Sequence, residues 1–179
     1  VREGGDLVAT IPRQPSAGKV AYQITLTSAD GTEHALIDEP VVIRFTGPVP
    51  KFVLYLHVIF MFGWLLLSTR TGLDALVRGV RAYRYTLWTF GFLIVGGLIF
   101  GPLVQKYAFG NFWSGWPFGG DMTDNKTAVA VIAWILALWR GRSQKGGRGW
   151  ILSAAVVTLL VYLIPHSIYG SELDYTKVN

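Results

Sequence analysis

The chain has 179 residues, of which 51% are hydrophobic and 15% charged, with a formal net charge of +5 and a mean hydropathy of +0.40. Soluble domains carry roughly 25% charged residues, so this composition excludes a disordered chain and argues against an ordinary soluble enzyme. The absence of cysteine excludes disulfides, thiolate zinc sites, iron–sulfur clusters and covalent c-type haem attachment together.

Residues 1–50 read as a small extracytoplasmic all-β domain. Val20 to Thr27 alternates, Ser28-Ala-Asp-Gly31 is a turn signal, His34 to Ile37 and Val41 to Phe45 supply further strands, and Leu7 to Ile11 is a candidate first strand. A β-sandwich or meander is expected. So small a domain buries little apolar area by itself, so it should lean on the membrane part or on a partner. The chain begins at Val1 without a charged-then-apolar leader, and an exported domain implies that a leading segment is missing from this numbering. His34, beside Glu33, reads as a solvated surface histidine. Pro48 and Pro50 form a stiff linker into residues 51–179, expected to be a four-helix transmembrane domain.

The first span, 52–69, has no formal charge and one histidine, His57. Its 18 residues match a helix crossing a hydrocarbon core about 30 Å thick. The following segment carries Arg70, Arg78, Arg81 and Arg84. Within it Leu73, Leu76, Val77 and Val80 recur at helical spacing, and Asp74 stands four residues before Arg78, which predicts an amphipathic surface helix whose arginines meet lipid phosphate. The second span, 85–104, contains Gly97 and Gly101 in a GxxxG spacing that lets a neighbouring helix approach closely.

Residues 105–126 form an aromatic outer loop that fits no helix or strand period. Tyr107, Phe109, Phe112, Trp113, Trp116 and Phe118 stand among Gly110, Gly115, Gly119 and Gly120. Such aromatics anchor at a membrane border or contact another molecule, and the glycines favour a structured loop. Phe112, Trp113, Trp116 and Phe118, with Gly97 and Gly101, are the candidate partner interface. Thr123 or Asp124 is expected to cap the third helix. The third and fourth spans are placed at 124–140 and 149–166, with apolar centres short for a bilayer unless flanking residues complete them.

Orientation follows from the basic residues. Arg70, Arg78, Arg81 and Arg84 lie in one loop and Arg140, Arg142, Lys145 and Arg148 in another, so both loops should be cytoplasmic and both chain ends periplasmic, in a bacterial inner or intracytoplasmic membrane. They form no single stripe on a soluble face, and nucleic acid is not an expected partner. His57 and His166 then share the outer half of the bundle with Asp121, Asp124, Glu172 and Asp174. Two imidazoles could ligate a b-type haem, and imidazoles with carboxylates could hold a divalent metal. No HExxH, CxxC, GxSxG or phosphate-binding glycine loop occurs, no catalytic residue is assigned, and no cofactor is required.

The segments GPLVQKYAFGNFWSGWPFGGDMTDNKT and YLIPHSIYGSELDY resemble motifs of uncharacterised bacterial four-helix membrane proteins with an exported N-terminal β domain. The overall plan is similar to that of an accessory subunit of a photosynthetic reaction centre–light-harvesting complex. Few ionisable residues lie along the spans, so the charged pathway of a transporter or proton pump is lacking, and the expected role is a noncatalytic accessory subunit of a photosynthetic or respiratory membrane complex, partnered by other membrane subunits, lipids or pigment. The alternative is a haem- or metal-binding membrane redox protein using His57 and His166.

Overall fold

A computed structural model describes residues 2–3, 6–28, 30–78, 80–142 and 146–164. They divide into one unit through Gly47 and a second beginning at Pro48.

The first unit contains β1 (Arg2–Glu3), β2 (Asp6–Leu7), β3 (Lys19–Tyr22), β4 (Thr25–Thr27), β5 (Glu33–Ala35) and β6 (Val41–Arg44). They pair as three separate two-stranded sheets, β1–β2, β3–β6 and β4–β5. The β4–β5 hairpin closes at the expected turn, where the Thr32 N–H donates to Asp30 at 3.0 Å and Gly31 adopts a φ of 84°. That bond holds the Asp30 carboxyl below its usual range. The β3–β6 pair encloses this hairpin, with Tyr22 opposite Val41.

Between the two ladders, Gln23 and Ile24 face the longer stretch 36–40. The unequal arms break the expected continuous strand over 20–27, and the Leu36 N–H to Ile24 carbonyl bond of 2.9 Å and the Gln23 side chain on the Ile37 carbonyl at 3.2 Å bridge the gap. The sandwich or meander expectation is therefore corrected to nested two-stranded ladders. Ile24, Leu26, Leu36 and Val42 remain exposed, and Ala17 is the buried hydrophobic residue among those described in this unit.

The second unit is helical. α1 (Lys51–Leu76) begins after Pro50, whose missing N–H is no loss at a helix start. It absorbs Leu73 and Leu76 of the expected separate surface helix, while Val77 and Val80 fall in the turn that follows. The chain then turns, with Arg78 at a φ of 58°. Arg78 has left the helix, so Asp74 pairs backward with Arg70 at 3.5 Å instead of forward.

After the turn, α2 (Ala82–Leu93), a π-helical segment (Ile94–Phe100) and α3 (Gly101–Phe109) run on as one rod. Pro102 explains the wider turn, because it has no N–H to donate and its ring crowds the carbonyl four residues back. The Gly101 N–H accordingly reaches the Gly96 carbonyl, five residues back. The rod ends at Gly110, whose φ of 90° and N–H bond to the Lys106 carbonyl make a left-handed cap. α4 (Met122–Gly141) and α5 (Gly147–Leu163) follow.

α1 packs on α2 and α5, and α4 packs on α5 and α2. Their centre holds Trp64, Leu93, Trp134 and Ile151 with Ala130, Ala137 and Ala154. Hydroxyls are buried there too: Thr71 bonds Thr89 at 2.8 Å between α1 and α2, and Trp134 Nε1 donates to Thr158 at 2.9 Å between α4 and α5. Outward-facing residues are large and apolar, among them Phe62, Leu66, Trp88, Ile132, Trp139 and Leu163. Two helices, Lys51–Leu76 and the rod Ala82–Phe109, are long and apolar enough to cross a membrane.

Candidate functional site: an aromatic loop clamped by two aspartates

The irregular loop is shorter than the sequence suggests, because helix continues through Phe109 and resumes at Met122. Asp121, rather than Thr123 or Asp124, is the N-cap of α4. Its Oδ1 accepts from the Thr123 N–H at 2.8 Å and the Asp124 N–H at 3.4 Å, while its own N–H donates to the Ser114 carbonyl at 3.0 Å. A carboxylate here answers both the open N–H groups and the positive end of the helix.

Asp124 lies in the first turn of α4 and holds the loop from inside. Its Oδ2 accepts from the Ser114 N–H at 2.6 Å, the Gly115 N–H at 3.0 Å and the Gln105 side chain at 3.0 Å. Gln105 also donates to the Ser114 hydroxyl. Asn125 adds a bond from the Trp116 N–H at 2.6 Å. Gly115 has to be glycine, since a Cβ there would stand 2.6 Å from Asp124 Cβ. The Trp116–Pro117 bond is cis, and the Phe118 N–H closes back on the Gly115 carbonyl at 2.9 Å.

With its polar groups turned inward, the loop displays its aromatic rings. Trp116 is 78% exposed, Phe118 81% and Phe112 54%. Lys106 braces the base by donating to the Gly110 carbonyl at 2.6 Å, with its ammonium 5.3 Å from the centre of the Phe112 ring. Trp113 differs from its neighbours. It is partly buried and its Nε1 donates to the Trp116 carbonyl at 3.1 Å, so it props the tip from within.

The other sequence candidates lie apart from this display. Gly97 is buried, and a Cβ there would meet Thr127 of α4 at 3.1 Å and Leu93 at 3.2 Å; one on Gly101 would meet His57 of α1 at 3.6 Å. The two glycines thus serve close helix approach within the chain, each toward a different helix. His57 donates from Nδ1 to the Gly96 carbonyl at 3.0 Å, the acceptor that the Gly101 N–H also uses. This bond would equally orient Nε2 toward a metal or haem iron. His166, Glu172 and Asp174 lie outside the described residues. Among the described residues, no group of three or more histidines and carboxylates is gathered for a metal, and Asp121 and Asp124 are joined through Ser114.

Sequence reasoning missed Gln105, Ser114 and Asn125. Their bonds span 9 to 19 residues and leave no local pattern, although a polar Gln105 closing an apolar run was a usable signal. Comparisons with protein families, with curated sequences and with solved structures find no match for the chain.

Proposed function

We propose that the chain is a noncatalytic accessory subunit of a larger bacterial membrane complex, photosynthetic or respiratory, which docks on a neighbouring membrane subunit through Trp116, Phe118 and Phe112. The observation that carries this reading is a loop pinned by buried carboxylate and amide bonds whose large aromatic rings face outward. Exposed aromatics held in one shape lose little entropy on docking and are frequent interface anchors. A mere headgroup anchor has no need of so many converging bonds.

The membrane part of the proposal is supported by an inverted distribution of polarity. Alanine, threonine and serine lie between the helices while leucine, isoleucine and phenylalanine face out, which suits helices packed in lipid. The basic loops argue for four crossings with both termini periplasmic. The similarity of the overall plan to an accessory subunit of a photosynthetic complex favours a photosynthetic or respiratory setting.

The test is copurification in mild detergent from the native membrane. Trp116→Ala with Phe118→Ala should leave the chain inserted and folded but release its partners. Unchanged copurification would return the rings to headgroup anchoring. An absorption spectrum of the purified protein addresses the haem alternative built on His57.

A further inference from the structure

At the opposite end of the α2–α3 rod from the aromatic loop, Arg81, Arg84, Tyr85 and Trp88 line an open recess of about 150 Å³. We propose that this recess binds a phosphate group, and that the phosphate belongs to the headgroup of an anionic membrane lipid. The proposal rests on the membrane-spanning reading above.

The four lining residues share one face of α2 through their three-, four- and seven-residue spacing. Arg81 precedes the helix and no side chain caps its first N–H groups, so the positive end of the helix adds to the two guanidinium groups. Both arginines are exposed, and neither has an acidic partner among the described residues. Asp74, the carboxylate at the end of α1, is engaged by Arg70. Arg70 in turn lies over the Tyr85 ring, 5.0 Å from its centre, which fixes the ring as one wall. Guanidinium groups grip phosphate oxygens in pairs, and two of them suit a diester or a monoester.

What selects lipid over free phosphate is the exposed apolar surface beside the recess. Trp88, 65% exposed, and Leu87, 52% exposed, stand one turn further along the rod, where acyl chains or glycerol would lie once the phosphate sits between the arginines. A tryptophan suits that depth, since its ring is apolar and its N–H seeks a polar partner. The polybasic loop would be on the cytoplasmic leaflet, where acidic lipids concentrate.

The full chain, purified in detergent, should be titrated with cardiolipin and, separately, with inorganic phosphate, following binding by native mass spectrometry. Arg81→Gln with Arg84→Gln should weaken cardiolipin binding by about tenfold per arginine, whereas Arg142→Gln with Arg148→Gln in the other basic loop should leave it unchanged. Equal loss in both pairs would show diffuse attraction to surface charge and overturn the site. Displacement of cardiolipin by inorganic phosphate would overturn the lipid assignment. If the glutamine pair fails to fold, Arg81→Lys with Arg84→Lys keeps the charge but loses the planar fork, and should still bind about tenfold less tightly; unchanged affinity would overturn the proposal. Failure of the membrane reading is read separately, as extraction of the chain from membranes without detergent.

Discussion

Three N–H donors, from Ser114, Gly115 and Gln105, converge on one oxygen of Asp124, and deleting that oxygen strands them in a buried place. Bonds to a charged acceptor contribute about 1.5–3 kcal/mol each, and an unsatisfied buried donor costs a similar amount. Asp124→Ala should therefore lower stability by about 3 kcal/mol and loosen the loop, which thermal unfolding in detergent and faster amide exchange at 114–116 would register. Asp124→Asn keeps an acceptor and should fall between. Full protection of those amides in Asp124→Ala would mean that the backbone turns hold the loop unaided. His57 calls for a different comparison. His57→Gln retains a donor for the Gly96 carbonyl, and if the role is structural it should cost about 1 kcal/mol or less in thermal unfolding. Disappearance of a stoichiometric absorbing cofactor in that variant would establish the ligand role instead.

Among the helices, contacts turn on small residues. A Cβ on Gly72 of α1 would stand 2.8 Å from Ala155 Cβ of α5, and neither atom can swing away because both are fixed to helix backbone. Gly72→Ala should thus destabilise by about 1–3 kcal/mol through overpacking, and Ala155→Gly in the same chain should recover most of the loss, measured as a double-mutant cycle in detergent. Additive losses would show that the helices do not approach as closely as this contact requires. The first helix was legible in the sequence because an apolar run without charge has few alternatives. Its extension to Leu76 was hidden, because the apolar spacing from Leu73 to Val80 read as a separate surface helix, with Asp74 expected to face Arg78 rather than Arg70. The π-helical segment was equally hidden. Pro102 sits in an apolar run that reads as uninterrupted helix, and its effect appears in the preceding turns, where the Gly101 N–H reaches the Gly96 carbonyl. The aromatic loop was legible as irregular and structured, but its carboxylates read as possible ligands, since spacing alone cannot distinguish a metal from converging backbone N–H groups. In the β unit the turn was visible. The nesting of one ladder inside another was not, because strand pairing depends on arm lengths that alternation does not encode.

For the whole chain, the proposed number of crossings can be counted by experiment, and the residues themselves supply the means. α1 and the Ala82–Phe109 rod have the length and apolarity to cross. α5 has 17 residues, about 25 Å of helix at about 1.5 Å per residue, against a core of about 30 Å. α4 has 20 residues but carries Asp124 and Lys126 in its first turns. Lys126 is nevertheless buried and donates to the Ile164 carbonyl at 2.7 Å beyond the end of α5, so a cation near the start of α4 satisfies a carbonyl at the end of α5, an arrangement that would suit paired crossing helices. Four crossings put residues 16 and 143 on opposite sides, the former periplasmic and the latter cytoplasmic, in keeping with the basic loops. Two crossings would put both on the same side. Because the chain contains no cysteine, Ser16→Cys and Ser143→Cys each introduce a single label. We expect an impermeant maleimide added to spheroplasts to modify Ser16→Cys, and to modify Ser143→Cys only after the membrane is opened. Labelling of both from outside would leave α4 and α5 short of a crossing, and the reverse pattern would invert the topology and move the aromatic loop to the cytoplasm.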